Sequence, residues 1–315
     1  MIKRYLLIAA MIAFSFSVSA QSPADMEFVP NGSMCAGIGY NYNSWNHYWE
    51  GDTLRINDNV GTVAHQSVFG GFSLGVIDRV NLIVMLPYVW SNTSQGTLNG
   101  QSGFSDISIN VKGKYGDWKL GSGTFKLGGN IGFSTPVSNY VIDFGPVNIG
   151  LGTTNFLYRQ LISYKLDKGF YFDGRAAYVL RSNIGDISRG GFYYDEGEAY
   201  YSNEVDMPDV FEWSLAAGFS NNRLLAEASF ISSNCLEGSD IRTWDPGFPS
   251  NKMIASVVQG RFDYYFATPT GLNISAKAGY TVAGRNVGQS VYGNLSVNYL
   301  FPVWGKRHDE PKPVK

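Results

Sequence analysis

Apolar and polar positions alternate one by one along the last hairpin of the chain. From Leu272 to Val282 the even positions are apolar and the odd positions are polar, small or charged, and the alternation resumes from Val291 to Phe301. A period of two predicts β-strands with one apolar and one polar face. Strands of soluble proteins usually end after about 5–6 residues, whereas a tilted strand needs about 9–11 residues to cross a bilayer. The hairpin therefore predicts strands that span a membrane.

The same pattern recurs along the chain and predicts twelve strands. An even number of strands places both ends of a bacterial barrel on the same side of the membrane. The predicted strands cover residues 32–42, 66–76, 80–90, 105–115, 123–134, 156–166, 170–181, 210–220, 224–231, 253–267, 272–283 and 291–301.

The connections between the predicted strands alternate in length. Every second connection is a tight turn, and most of these turns carry the Gly, Asn, Asp or Pro that hairpins require. The connections between them are long loops, except the last, which is short. Tight turns at one end and long loops at the other are the layout of an outer-membrane barrel. We therefore predict an all-β fold, a closed antiparallel up-and-down transmembrane β-barrel over residues 32–301.

Segments at both ends of the chain are predicted to lie outside the barrel wall. Residues 1–20 have the pattern of a secretory signal peptide, with a basic start, an apolar core and a cleavage motif that ends at Ala20. Residues 21–31 are expected to form a periplasmic N-terminal segment that is too short to plug the barrel. Residues 302–315 are expected to form a disordered periplasmic tail. The signal peptide and the barrel together predict that the protein is located in the outer membrane of a Gram-negative bacterium, after cleavage near Ala20.

Composition and charge agree with a barrel in lipid. Only 16% of the residues are charged, against about a quarter in a typical soluble domain. Without Lys3 and Arg4 of the signal peptide, 22 basic residues face 26 acidic ones, which gives no reason to expect a nucleic-acid partner. The expected partners are outer-membrane lipid, a small-molecule solute and the outer-membrane insertion machinery. The alternating residues 295–301, which end on an aromatic ring, resemble the signal that this machinery recognises.

Charged residues in the predicted strands fall on the polar face. A charge that faces lipid at mid-membrane costs roughly 2–4 kcal/mol, so we expect these side chains to face the lumen. One interpretation is that they are structural pairs, for example Arg175 and Asp173 with Lys165 and Glu212; the other is a mildly basic lining that selects solutes. The predicted lumen-lining charged residues are Asp106, Lys112, Lys114, Lys126, Arg159, Lys165, Asp173, Arg175, Arg181, Glu212, Glu227, Arg261, Asp263 and Lys277.

Four neighbouring strands of the predicted barrel, the first three and the twelfth, carry no charge. The second and third strands instead point Phe69, Ile83, Met85 and Val89 inward. We predict a semi-apolar track beside a charged wall, suited to small aromatic or amphipathic solutes. The alternative is an apolar patch packed beneath an infolded loop. Twelve strands lie between the filled eight-stranded barrel and the open pores of 16–18 strands, so a narrow or loop-occluded lumen is expected.

One triplet is typical of enzymatic chemistry. His65-Gln66-Ser67 puts an imidazole and a hydroxyl on the same strand face, as in the outer-membrane phospholipase A family. That face points to the lumen here, whereas those enzymes work from the lipid side, and Val68-Phe69 replaces the Asn-Gly that follows their serine. We predict no catalytic residues and keep a lipase-like enzyme as a minor alternative.

Cysteine and histidine spacing add no further site. Cys35 lies near the periplasmic start of the first strand and Cys235 in a predicted outer loop, so the membrane separates them by more than the ~7 Å that a disulfide allows between Cα atoms. We predict two free thiols. The histidines lack the spacing of metal ligands, so neither a metal nor a cofactor is expected.

Short motifs in the third and fourth strands carry a family resemblance. A strand that ends in Leu86-Pro87-Tyr88 is followed by residues 103–109, GFSDISI, and 112–115, KGKY. This arrangement resembles the family labelled "putative MetA-pathway of phenol degradation". The resemblance implies an outer-membrane barrel that passes small, often apolar compounds, with Asp106 and Lys114 in the lumen.

The sequence thus predicts a channel or facilitator for the passive passage of small apolar or aromatic solutes through a partly charged lumen. A structural or surface-binding barrel with a closed lumen is the alternative.

Overall fold

The computed structural model describes residues 22–143, 145–185, 191–195, 198–202, 204–241 and 251–304, with the backbone alone from 191 to 202. The predicted signal peptide lies outside these ranges. Twelve long strands form the barrel wall: β1 Ser33–Trp45, β2 Val63–Ile77, β3 Val80–Thr93, β4 Asp106–Leu120, β5 Gly123–Pro136, β6 Asn155–Leu166, β7 Phe170–Arg181, β8 Val210–Ser220, β9 Leu224–Cys235, β10 Ile254–Tyr265, β11 Leu272–Arg285 and β12 Val291–Pro302. The short strand Ser102–Phe104 pairs with β3 and belongs to the same sheet.

The sheet closes on itself, because β1 pairs with both β2 and β12. Every other strand pairs antiparallel with its two neighbours in sequence, so no edge is left open. This confirms the predicted closed up-and-down barrel. Most strands extend beyond the predicted bounds where the long loops begin, whereas β10 stops at Tyr265, earlier than predicted. There the Phe266 N–H donates to the Leu272 carbonyl and closes the turn.

The two ends of the barrel differ as the sequence predicts. We call them the turn end, where hairpins such as 121–122 and 167–169 connect the strands, and the loop end. Gly121 and Gly169 have φ angles of 57° and 96°, a left-handed conformation that glycine adopts without strain. By the layout of outer-membrane barrels, the turn end corresponds to the periplasmic side.

The outer surface is apolar. Ile131 is 64% exposed, Leu215 61% and Phe172 57%, and each lies between inward-facing neighbours along its strand. In water so much exposed apolar surface would be unfavourable, whereas in lipid it is the expected exterior. Among the described residues, no helix is long and apolar enough to cross a membrane.

A long loop covers the lumen at the loop end. In this infolded loop, residues 137–154 with 144 undescribed, Val147 is 1% exposed and its carbonyl accepts a hydrogen bond from Ser91 Oγ at 2.6 Å. Ser91 is an inward residue of β3. Ile142 packs against Ile184 and Met207 of the next long loop. The infolded loop therefore contacts an inward-facing residue of the wall at this end.

Candidate functional site

The N-terminal strap, residues 22–32, enters the barrel at the turn end and lies inside the wall. The Gly32 N–H donates to the Gly75 carbonyl at 2.9 Å, and the Asn81 side chain pairs with both backbone groups of Val29, at 3.2 and 3.1 Å. Asn81 is fully buried. Its amide replaces the hydrogen bonds of a neighbouring strand, so the strap satisfies these backbone groups without joining the sheet.

Asp25 ties the strap across the lumen. Its carboxylate accepts hydrogen bonds from Lys112 Nζ at 2.9 Å and from Arg261 Nη1 at 3.3 Å. Lys112 lies on β4 and Arg261 on β10, six strands away in a twelve-stranded barrel, so the two cations come from opposite walls. The completely buried Lys112 ammonium donates to three acceptors, which are Asp25 and the carbonyls of Ser22 and Glu27 in the strap.

These cations keep Asp25 ionised. Burial alone would raise the pKa of the carboxyl group, because it disfavours the charged form. The positive charges of Lys112 and Arg261, with the backbone hydrogen bond from Ser22, outweigh burial and hold the pKa of Asp25 well below its ordinary value. The strap is therefore docked as an anion at neutral pH.

The strap lies inside the wall, whereas residues 21–31 are expected outside it. A turn at residues 22–25, in which the Asp25 N–H donates to the Ser22 carbonyl, places the Asp25 carboxylate between Lys112 and Arg261. Alternation identifies wall strands and says nothing about a segment that crosses no membrane. A signal is nevertheless present in the sequence, because the nine basic and five acidic lumen residues leave an excess of cations that Asp25 partly neutralises.

At the C-terminal end of the chain, the ordered structure also extends further than predicted. Pro302 is the last residue of β12, and the N–H groups of Val303 and Trp304 donate to the Gly32 carbonyl at 2.7 and 3.1 Å. The predicted disordered tail therefore cannot begin at Pro302. The rest of it, residues 305–315, lies outside the described residues.

Two further ion-pair groups lie beside the strap anchor. Arg261 binds Asp263 at 2.6 Å in addition to Asp25. Arg175 binds Asp173 at 3.2 Å and Glu227 at 3.0 Å. All five side chains are nearly buried, as charged groups inside a protein can be only when they are paired.

The pairing predicted for Lys165 and Glu212 is wrong. Glu212 binds Arg159 at 2.9 Å, and Lys165 donates to Ser220 Oγ at 2.6 Å. The alternation correctly groups residues by face, but it does not give the stagger between strands that decides which side chains meet.

The remaining predicted lumen charges, apart from Lys277, lie toward the barrel ends. Asp106 accepts a hydrogen bond from Tyr140 of the infolded loop, and Lys114 binds Asp117 at 2.7 Å. The Arg181 side chain lies 4.0 Å from Cys235 Sγ. Lys126 and Lys277 have neither an ion-pair nor a hydrogen-bond partner among the described residues.

A cavity of about 440 Å³ lies between the strap and the uncharged part of the wall. Ser22 and Pro23 of the strap line one side. The other side is formed by β1, β2, β3 and β12, together with Lys277 of β11. The four residues predicted as the apolar track all line this one cavity: Phe69, Ile83, Met85 and Val89.

The cavity exists because small residues face inward on β1 and β2. Gly37 and Gly71 lie opposite each other across this strand pair, and both line the cavity. A Cβ at Gly39 would approach the ring of Phe69 to 2.3 Å, so glycine is needed for the ring to lie flat on the wall. Larger side chains at these positions would fill the hollow.

A polar row crosses the cavity wall at one level. Lys277, Asn294, Asn41 and Ser67 are successive cross-strand neighbours from β11 to β2. Asn294 donates to Asn41 Oδ1 at 2.6 Å, and Asn41 donates to Ser67 Oγ at 3.0 Å. The row continues to Val89 of the apolar track. Polar and apolar surface therefore meet inside the same cavity.

Ser67 is engaged by Asn41 and not by His65. The His65 ring hydrogen-bonds the backbone of Asn148 in the infolded loop, and the described residues contain no hydrogen bond between His65 and Ser67. The nucleophile–base contact that serine catalysis requires is therefore not made by this pair. Nor do three His, Cys, Asp or Glu side chains of the described part converge as metal ligands.

Cys35 and Cys235 are not joined in a disulfide. Cys35 lines the cavity, near the turn end of β1. Cys235 is the last residue of β9, whereas it is expected in a loop.

Comparison with solved structures places this fold among outer-membrane barrels. The COG4313 outer membrane channel from Pseudomonas putida F1 is similar with a TM-score of 0.72 at 14% identity, over 90% of this chain and 100% of that one. The translocator domain of the autotransporter NalP from Neisseria meningitidis has a TM-score of 0.47 at 14% identity, over 87% and 90% of the two chains. A comparison with curated proteins finds no match.

The motifs singled out in β3 and β4 are part of a longer match. The model of one protein family, described as "Putative MetA-pathway of phenol degradation", matches residues 23–225, from the strap to the start of β9. This range covers well over half of the chain and includes the whole apolar track, Asp25 and Lys112. The chain therefore belongs to the family described as "Putative MetA-pathway of phenol degradation".

Proposed function

We propose that the protein is an outer-membrane channel or facilitator for the passive passage of small apolar or aromatic solutes. The observation that carries this proposal is one cavity that is lined by Phe69, Ile83, Met85 and Val89 and by the glycines of β1 and β2. A volume of about 440 Å³ accommodates a substituted benzene ring with room to move. The fold shared with an outer membrane channel supports the same function.

The arrangement of charges supports a path on the hollow side. The charged groups around Asp25, Arg261 and Arg175 bind one another or the strap, so they hold the structure together and leave little free surface for a solute. Among the described residues, a solute that follows the cavity meets apolar side chains, neutral amides and one charged side chain, that of Lys277. Its passage requires the strap and the infolded loop to move aside at the two ends.

The closures at the two ends also favour a second candidate function. The strap is anchored inside the wall at the turn end and the infolded loop accepts a hydrogen bond from Ser91 at the loop end, and both contacts are expected of a structural or surface-binding barrel with a closed lumen. The two functions differ in single-channel recordings of the refolded barrel in a planar bilayer. Discrete current steps support a channel, whereas a silent barrel with an intact fold supports the second function.

The path is tested by placing a charge in the cavity. Met85→Asp is expected to abolish the barrel-dependent uptake of a radiolabelled aromatic hydrocarbon by Gram-negative cells, whose lipopolysaccharide leaflet slows direct passage through lipid. Thr124→Asp is the matched control, because Thr124 pairs with Lys165 at the turn end and does not line the cavity. Equal uptake by the Met85→Asp variant and the parent barrel, at equal amounts in the membrane, would exclude this path.

A further inference from the structure

Lys277 is the one charged residue among the described residues that line the cavity. It lies on β11 with its side chain partly buried. Among the residues that the structure describes, no carboxylate lies within ion-pair distance of its ammonium group and no hydrogen bond involves it. A buried ammonium group normally has a partner, because the loss of hydration is otherwise uncompensated. Lys277 thus presents an uncompensated cation to the cavity.

The carboxylates nearest to Lys277 are already occupied. Its cross-strand neighbour Arg261 binds Asp25 and Asp263. Glu227 is next in the same row, and it accepts hydrogen bonds from Arg175 at 3.0 Å and from Tyr171 at 2.9 Å. Each of these carboxylates is therefore held by a partner other than Lys277.

The groups around Lys277 complete a binding surface for an amphipathic anion. Asn294 and Ser67 lie in its polar row, and the hydroxyl hydrogen of Ser67 has no acceptor among the described residues. Phe69 of β2 and Met85 of β3 line the same cavity. A carboxylate at the polar row would place an attached ring or chain against these apolar side chains.

We propose that the cavity binds small organic monocarboxylates with an apolar body, with Lys277 as the counter-ion of the carboxylate. This inference rests on the proposed function and adds the charge of the solute to it. An isosteric neutral alcohol would fill the apolar part of the cavity but leave the ammonium of Lys277 without a partner.

The test compares benzoate with benzyl alcohol by titration calorimetry on the refolded barrel in detergent micelles at pH 8, with empty micelles as the blank. A hydrogen bond to a charged group contributes enough to predict that benzoate binds roughly tenfold to a hundredfold more tightly. Lys277→Met is expected to remove this preference. Lys277→Arg is expected to retain it.

Lys126→Met is the matched control. Lys126 is also a half-buried lysine without a described partner, but it lies on β5 and does not line the cavity. The ratio of the two affinities should be unchanged in this variant. Retained heat-modifiable migration on gels identifies variants that have kept the barrel.

The outcomes separate this inference from the proposed function. Equal affinities for benzoate and benzyl alcohol in the parent barrel, or a preference that survives Lys277→Met, would overturn the inference and leave a cavity for neutral solutes. Absence of binding by both probes, combined with silent bilayers, would overturn both.

Discussion

The two sides of the lumen differ, although strands of the same alternating pattern form both. The strap and its ion pairs fill one side, and the other side contains a cavity. On the filled side, β4 and β10 bury Lys112 and Arg261 against the carboxylate of Asp25, and the strap occupies the space between them. On the hollow side, β1 and β2 present glycine and small polar residues, and a cavity remains. A closed barrel therefore need not be uniformly filled or uniformly open. Charges concentrate where the barrel is filled, and the solute path is expected on the hollow side, where Lys277 is the one charged residue among the described residues that line the cavity.

Removal of the strap is expected to have the largest effect on this contrast. Deletion of residues 22–31 takes away the partners of Lys112 and opens the filled side to water at the turn end. Single-channel conductance should rise several-fold over that of the parent barrel. The Glu27→Gln variant, whose exposed side chain changes within an intact strap, should conduct like the parent. Equal conductance with and without the strap would show that the filled side does not limit ion flow.

A smaller change at the strap anchor should act in the same direction. Asp25→Asn removes the charge that Lys112 and Arg261 share, and breaking a buried ion pair costs about 3–5 kcal/mol. The strap should then leave the lumen in most molecules, and limited proteolysis should cleave it faster. Unchanged cleavage and unchanged conductance in Asp25→Asn would show that the ion pairs are not what holds the strap.

Strap docking should withstand mild acid. The pKa of Asp25 is lowered in the docked state. The stabilisation of the docked strap by ionised Asp25 is therefore fully present above the ordinary carboxyl pKa, and it is lost only as the pH falls through the lowered value. Conductance should therefore stay low from pH 8 to about pH 4 and rise only in stronger acid. A rise with a midpoint above pH 5 would assign the opening to another group.

The smallest effect is expected for an ion pair outside the lumen. Lys119 and Asp167 are 2.5 Å apart at the turn end, and both side chains are more than half exposed. Water and salt screen such a pair, so Lys119→Gln should change barrel stability by less than about 1 kcal/mol and leave conductance unchanged. Urea unfolding in detergent checks the first value. A loss comparable to that of Asp25→Asn would remove the distinction between buried and exposed charges.

Much of the barrel could be predicted because alternation and turn length are local properties. The period of two identifies the strands, and the sorting of short and long connections sets their direction. The strap and the infolded loop could not be predicted in this way. Asp25 meets Lys112 and Arg261 over 87 and 236 residues of sequence, and Ser91 meets Val147 over 56. Contacts at such separations follow from closure of the barrel and have no local pattern.

The candidate site could be predicted in part for the same reason. Phe69, Ile83, Met85 and Val89 share a face of two neighbouring strands, so alternation alone groups them. The role of Lys277 is different, because it depends on which carboxylates Arg261 and Arg175 already hold. That information lies in the stagger of the strands and in the position of the strap. Among fourteen predicted lumen charges, the sequence offers no reason to single out Lys277.

The most direct test of the account is to block the hollow side and leave the filled side intact. Met85→Cys is made in a background in which Cys35 and Cys235 are serine, and the thiol is then modified with a bulky methanethiosulfonate reagent. Modification is expected to abolish barrel-dependent uptake of the aromatic hydrocarbon, and reduction of the mixed disulfide is expected to restore it. Uptake that continues at the same rate after complete modification would contradict passage along the cavity beside the strap.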